Sequence, residues 1–229
     1  MEKGKFVLSV PMAIIIAGAM IAVAVFINKT PTPAQNLVNQ DKAPAEINIK
    51  AVTKDDHILG DLDAPLLVVE YSDSECPFCK VFHQTMQQLK KDYGEKITWV
   101  YRSFPIESLH PTALKEAEAF ECATELGGND VFWKYADRLF EVTPSNNGLD
   151  PTTLPDIAEY SGLNKEDFKA CLDSGKYAQK VSDDVQEAIV AGAQGTPYTV
   201  VISKDGEKTV ISGAQPISTV KKTLDSLLK

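Results

Sequence analysis

One run leaves this chain little freedom in how it can fold. Leu66-Leu67-Val68-Val69-Glu70-Tyr71 leads through Ser72-Asp73-Ser74-Glu75 into Cys76-Pro77-Phe78-Cys79-Lys80. The aliphatic and aromatic stretch over 66–71 predicts a strand buried on both faces. Pro77 predicts a helix start, because a first helical residue has no intrahelical use for an N–H and the ring presets φ. The chain must therefore turn from a central strand into a helix at a Cys-x-x-Cys. That spacing brings two sulfurs within bonding distance across one helical turn, so Cys76 and Cys79 read as a dithiol/disulfide redox centre. Unpaired N–H groups of the first turn would stabilise a Cys76 thiolate.

Zinc ribbons use the same spacing, but a four-ligand zinc site needs a second cluster. The other two cysteines, Cys122 and Cys171, lie far apart with no histidine beside either, so the ligand pattern of such a site is missing. Glu70 favours the redox reading, since an acid inside an apolar strand is costly without a partner or a task. Its alternative is a strand-edge carboxylate reaching water. Glu75 and Asp73 are expected to oppose the thiolate, as a like charge near 4 Å costs about 1 kcal/mol even in water. By that reasoning Glu75→Gln would lower the Cys76 pKa.

The remaining elements suit one domain over residues 56–229. A helix over 77–91 and a strand over 97–104 complete a β-α-β unit, with Phe78, Val81, Phe82, Met86 and Leu89 as its apolar stripe and His83 on the rim. A helical stretch inserted over about 106–193 follows, with segments at 111–126, 130–142, 153–161, 165–174 and 177–191. Asn129 and Asn164 are its candidate caps. A hairpin over 197–203 and 208–212 and a last helix from Pro216 close the chain. Trp133, Tyr135, Leu139 and Phe140 are assigned to packing, His110 to the start of the first inserted helix, and His57 carries no readable signal. Cys122 and Cys171 sit on apolar stripes of two inserted helices, either as buried thiols or as a structural disulfide, and we favour the disulfide.

Residues 6–27 form an uncharged run of 22 positions, long enough to span a bilayer at about 1.5 Å per residue. Lys3 and Lys5 ahead of it predict a cytoplasmic N-terminus and an extracytoplasmic domain. A cleavable signal peptide ending at Ala22-Val23-Ala24 is the rival, but that triplet lies inside the apolar run, so we expect an uncleaved single-pass anchor over 1–28. Pro31, Pro33 and Pro44 among polar residues predict a flexible tether over 29–55. A formal net charge of −9 and the lack of a basic stripe argue against nucleic-acid binding.

Glu70 six residues before Cys76, the Cys-Pro-Phe-Cys itself, and Gly195-Thr196-Pro197 leading into a strand together resemble the DsbA-type branch of the thioredoxin superfamily. The resemblance covers about residues 51–229 and implies an α/β thioredoxin-like fold with a helical insertion. It implies that Cys76 is the exposed nucleophile, Cys79 its buried partner and Glu70 a proton acceptor beneath Cys79. Pro197 would be a cis-proline facing the disulfide, with Thr196, Pro77 and Phe78 beside the substrate. Phe78 stands where the best-known member has histidine, and Thr196 where it has valine. A monomeric thiol oxidase acting on unfolded or flexible exported proteins follows, reoxidised by a quinone-linked membrane partner, with no metal or organic cofactor. A reductase or isomerase of the same compartment is the enzymatic alternative, although no dimerisation module is visible. A holdase or binding module is the non-enzymatic one, against which both cysteines are retained.

Overall fold

The computed structural model describes residues 47–229; the apolar run over 6–27 and the tether up to residue 46 lie outside the described residues. Among the described residues no helix is long and apolar enough to cross a membrane. In chain order the elements are β1 (His57–Leu59), β2 (Leu66–Ser72), α1 (Pro77–Tyr93), β3 (Ile97–Ser103), α2 (Ala113–Val142), α3 (Leu154–Tyr160), α4 (Lys165–Ser174), α5 (Ala178–Val190), β4 (Tyr198–Ser203), β5 (Lys208–Ser212) and α6 (Ile217–Leu227).

The apolar run forms β2, the middle strand of a five-stranded sheet ordered β1-β3-β2-β4-β5. It runs parallel to β3 across the α1 crossover and antiparallel to β4. Both faces of the sheet are covered, Leu66 and Val68 packing on one side and Val69 and Tyr71 on the other, which is why β2 reads as continuously apolar rather than alternating. The three-residue edge strand β1 has no counterpart in the sequence reading, being too short to show a period. Its hold comes from outside its own sequence. Asn129 Oδ1 accepts from the Ile58 N–H at 2.9 Å and Asn129 Nδ2 donates to the Ile58 carbonyl at 2.6 Å. Asn129 is therefore a clamp on β1 inside α2 rather than a helix cap. The two helices expected over 111–142 are the two halves of α2, which meet at a kink at Gly128 (φ 75°), a backbone conformation that suits glycine. Asn164 does cap α4, accepting from the Glu166 and Asp167 N–H groups.

One sheet face, bearing Val68, Trp99, Tyr101 and Val201, packs on α1, α6 and the insertion. Cys122 of α2 and Cys171 of α4 are joined by a disulfide, with an S–S distance of 2.00 Å and Cα atoms 5.9 Å apart. On the opposite face Val69, Tyr71, Val100 and Val200 pack beneath Ala188 of α5, and Ile47, Ile49 and Val52 lie against the same cluster. Residues 47–55, expected within the tether, are thus laid down on the domain. Buried Arg102 of β3 fastens them: Nε and Nη2 donate to Asp56 at 2.8 and 3.2 Å, Nη1 to the Lys50 carbonyl at 3.3 Å, and Nη1 also pairs with Glu187. The Lys50 N–H donates to Glu187 at 2.8 Å.

Candidate redox site

The turn after β2 is built by Asp73. Its carboxylate is buried and accepts from the Glu75 N–H at 2.9 Å, the Ile106 N–H at 2.8 Å and His110 Nδ1 at 2.9 Å. Its carbonyl accepts from the Cys76 N–H at 3.1 Å. Three donors on one short side chain hold the loop after β3 and the end of β2 together, and Cys76 is delivered as the N-cap of α1 with Pro77 behind it.

Cys76 and Cys79 are unbonded, and burial separates them. Cys79 is fully inaccessible, whereas 6 % of Cys76 reaches the surface, less exposure than the resemblance implies for a nucleophile. The Cys79 thiol beside Cys76 lowers the Cys76 pKa to about 6 against the effect of burial, helped by Thr196 and the amides of Cys79 and Phe78. Cys79 moves the opposite way, raised by burial and then by its neighbour Cys76, although the Asp73 N–H donates to its sulfur at 3.4 Å. One sulfur is thus suited to carry charge and the other to hold a proton.

The Thr196–Pro197 peptide bond is cis and sets the Thr196 carbonyl 3.6 Å from Cys76 Sγ. Phe78 is 65 % exposed on the first turn of α1, with Val81 also exposed one turn on. The apolar stripe expected through Phe78 and Val81 is therefore rotated. Cys79, Phe82, His83, Met86 and Leu89 form the buried face. His83 is no rim residue: it stacks on Phe140 and bonds Asp137 through Nε2 at 2.7 Å.

Glu70 does not reach water. It is fully buried, opposite Tyr101 of β3 and Thr199 of β4, and Trp99 Nε1 donates to Oε2 at 2.9 Å. Burial raises its pKa to about 7, against the favourable effects of the Ser72 hydroxyl and Trp99. Ser72 also favours the Cys79 thiolate, so the two buried acids share a neighbour.

Glu75 and Asp73, expected to oppose the Cys76 thiolate, have their carboxylates committed to other partners, and the largest influences on Cys76 come from Cys79, burial and Thr196. Asp73 is engaged as above, and Glu75 is turned into the insertion, where it accepts from the N–H groups of Asn147, Gly148 and Leu149 at 2.6, 3.3 and 3.2 Å.

Residues 52–226 match the family described as Thioredoxin. The chain belongs to the thioredoxin family. Among solved structures, this thioredoxin-family chain is similar to DsbA2 of Pseudomonas aeruginosa, with a TM-score of 0.68 and 25 % identity over 78 % of this chain and 97 % of that one. Oxidised BdbD of Bacillus subtilis gives the same TM-score and identity over 79 % and 96 %. The fold is the DsbA-like one, with the helical insertion between β3 and β4. A curated relative, "Na(+)/H(+) antiporter NhaA 1" of Mycolicibacterium vanbaalenii, is 33 % identical over 148 residues, 64 % of this chain but only 23 % of the antiporter. The chain spans about a quarter of the length of such relatives.

In this thioredoxin-family site the structure brings together Glu70, Cys76, Cys79, Thr196 and Pro197, while Cys122 and Cys171 lie in the insertion. Sequence reasoning missed Ser72, Trp99, His110 and Glu116. Ser72 had a signal, since it shares the period-2 face of Glu70. Glu116 had one too: it falls on the stripe of Ala113, Phe120 and Ala123 in α2, an acid among core residues. His110 and Trp99 act through pairings that only the assembled sheet and loops create.

Proposed function

We propose that the chain is a protein thiol:disulfide oxidoreductase working outside the cytoplasm as a dithiol oxidase. The observation that carries the reading is the placement of the two sulfurs, Cys76 at the start of α1 beside the Thr196 carbonyl and Cys79 fully buried behind it, which holds the first down to about 6 and pushes the other up. In the oxidised enzyme a substrate thiolate attacks Cys76 Sγ, the Cys76–Cys79 bond breaks, and a mixed disulfide forms on Cys76. Cys79 departs as a thiolate and takes a proton, for which Glu70 is the nearby acid poised around neutrality. The second substrate thiolate then attacks the substrate sulfur. Cys76 leaves as its stabilised thiolate, the substrate has lost two electrons, and the cysteine pair has gained them.

The Thr196 carbonyl and exposed Phe78 suit an extended, partly apolar substrate segment beside the sulfur, which favours unfolded or flexible exported proteins. The Cys122–Cys171 bond fits an oxidising compartment. The apolar run over 6–27 supports a membrane anchor with its N-terminus inside, and relatives that carry such a domain in an antiporter support work beside a membrane. A quinone-linked membrane partner would take the electrons, as the family resemblance implies.

Acid-quenched thiol trapping in cells tests the direction of flow. Cys76 and Cys79 found mostly disulfide-bonded support the oxidase, whereas mostly reduced cysteines overturn it in favour of a reductase or isomerase. Failure to oxidise a dithiol peptide or to reduce insulin would leave only a binding module.

A further inference from the structure

Glu116 stands in the first turn of α2 and is fully buried, and no amide or charged donor is bonded to either carboxyl oxygen. The groups facing it are Ser74, Glu75 and Asp73 from the redox turn and Tyr135 from the far half of α2. No cation is among them. Asp73 already has His110 and two amides, and Glu75 has the three amides of residues 147–149. Glu116 has only the Ser74 hydroxyl to support a charge. Two carboxyl groups within hydrogen-bonding reach in dry surroundings cannot both ionise, so one keeps a proton and offers it to the other.

We propose that Glu116 is a positioning residue for the redox turn: it stays protonated, donates to Glu75, and so latches the start of the insertion to the residue preceding Cys76. The latch has a second half. Residues 143–149 lie across the start of α1, with the Asn146 N–H on the Glu75 carbonyl at 2.8 Å and Lys80 Nζ on the Thr143 carbonyl at 2.6 Å. Ser145, Asn146 and Asn147 hold φ of 64°, 55° and 63°. Three successive non-glycine residues in the left-handed region persist only where their surroundings over-determine them. The Glu75 carboxylate does this by collecting the amides that follow.

Burial and then the Glu75 and Asp73 carboxylates push Glu116 up to about 8. Above that pH its proton passes to solvent base, two like charges meet behind the turn, and the hold on residues 147–149 weakens. Cys76 is already ionised there, so the two titrations are separable.

The decisive measurement is the carboxyl resonance of Glu116 in the full-length protein labelled with 13C-glutamate, assigned by its loss in Glu116→Gln. A midpoint near 8 is expected, and a midpoint in the ordinary carboxylate range, about 4 to 5, overturns the proposal. Amide hydrogen exchange supplies the second readout. Between about pH 6 and pH 9, protection of Asn147 and Leu149 should fall about tenfold in wild type, beyond the intrinsic rate change, and stay level in Glu116→Gln. Equal protection in both proteins also overturns it. Should the variant fail to fold, Cys76→Ser with native Glu116 allows the same titration. The consequence for exchange rests on the redox reading, but the titration does not. A protein inactive toward thiols whose Glu116 still titrates near 8 would sink the redox reading and keep the latch.

Discussion

Glu70 and Cys79 are two acids that burial drives in the same direction, yet only Glu70 ends where neutral solution can titrate it. That difference sets what a substitution should do. A folded-state pKa raised above its unfolded value favours folding while the group is protonated in both states. The advantage fades as pH rises from the unfolded value near 4.5 to the folded value near 7. Glu70→Gln removes this loss. The variant should match wild type near pH 4 and become more stable by roughly 3 kcal/mol by pH 7, level thereafter, as read from denaturant midpoints across pH. The same variant should exchange disulfides more slowly around neutrality, because Cys79 has lost its acid. A variant whose stability difference does not change with pH would show that Glu70 is ionised in the fold. Glu70 was legible because a charge inside an apolar strand is conspicuous. Its partner Trp99 was not, because nothing in 97–103 marks which residue lies beside it until β2 and β3 are in register.

Among the elements, α1 shows why a stripe of apolar residues does not by itself name the buried face. Phe78 and Val81 have the composition of a core but lie on the exposed face of α1, opposite the buried face of Cys79, Phe82, Met86 and Leu89. His83 has a polar ring, but stacking on Phe140 and a bond to Asp137 make it a core residue. The strand–turn–helix around Cys76 could be read because spacing and proline chemistry are local. The loop over 143–149 could not, because its conformation depends on a glutamate about seventy residues earlier. The insertion carries its own fastening. The Cys122–Cys171 bond closes a separation of 49 residues, so Cys122→Ser/Cys171→Ser should cost about 4 kcal/mol by the chain-entropy argument. Thiol labelling of the native protein under mild reduction should modify Cys76 and Cys79 and spare the pair in the insertion. Labelling of all four cysteines under gentle conditions would count against that fastening.

On the scale of the whole molecule, the domain begins before its first strand. Arg102 binds Asp56, Glu187, Tyr71 and the carbonyls of Lys50 and Ala51 from a buried position. Removing one member of such a cluster leaves uncompensated charge inside, so Arg102→Ala should lose about 3–5 kcal/mol. Limited proteolysis should then cut within 47–55 well before the rest unfolds. Resistance there would mean that the packing of Ile47, Ile49 and Val52, with the Lys50 and Ile47 backbone bonds to Glu187 and Lys208, holds the segment without Arg102. The cluster also decides where a load enters. A pull applied on the amino-terminal side of Ile47 meets Lys208 of β5 at the Ile47 carbonyl, then Lys50 and Arg102, and through them Tyr71 and the parallel β2–β3 ladder at the centre of the sheet, not the three-residue edge β1. Tension is then carried in shear along seven paired residues of each strand, and the strand that bears it is the one that ends at the cysteines.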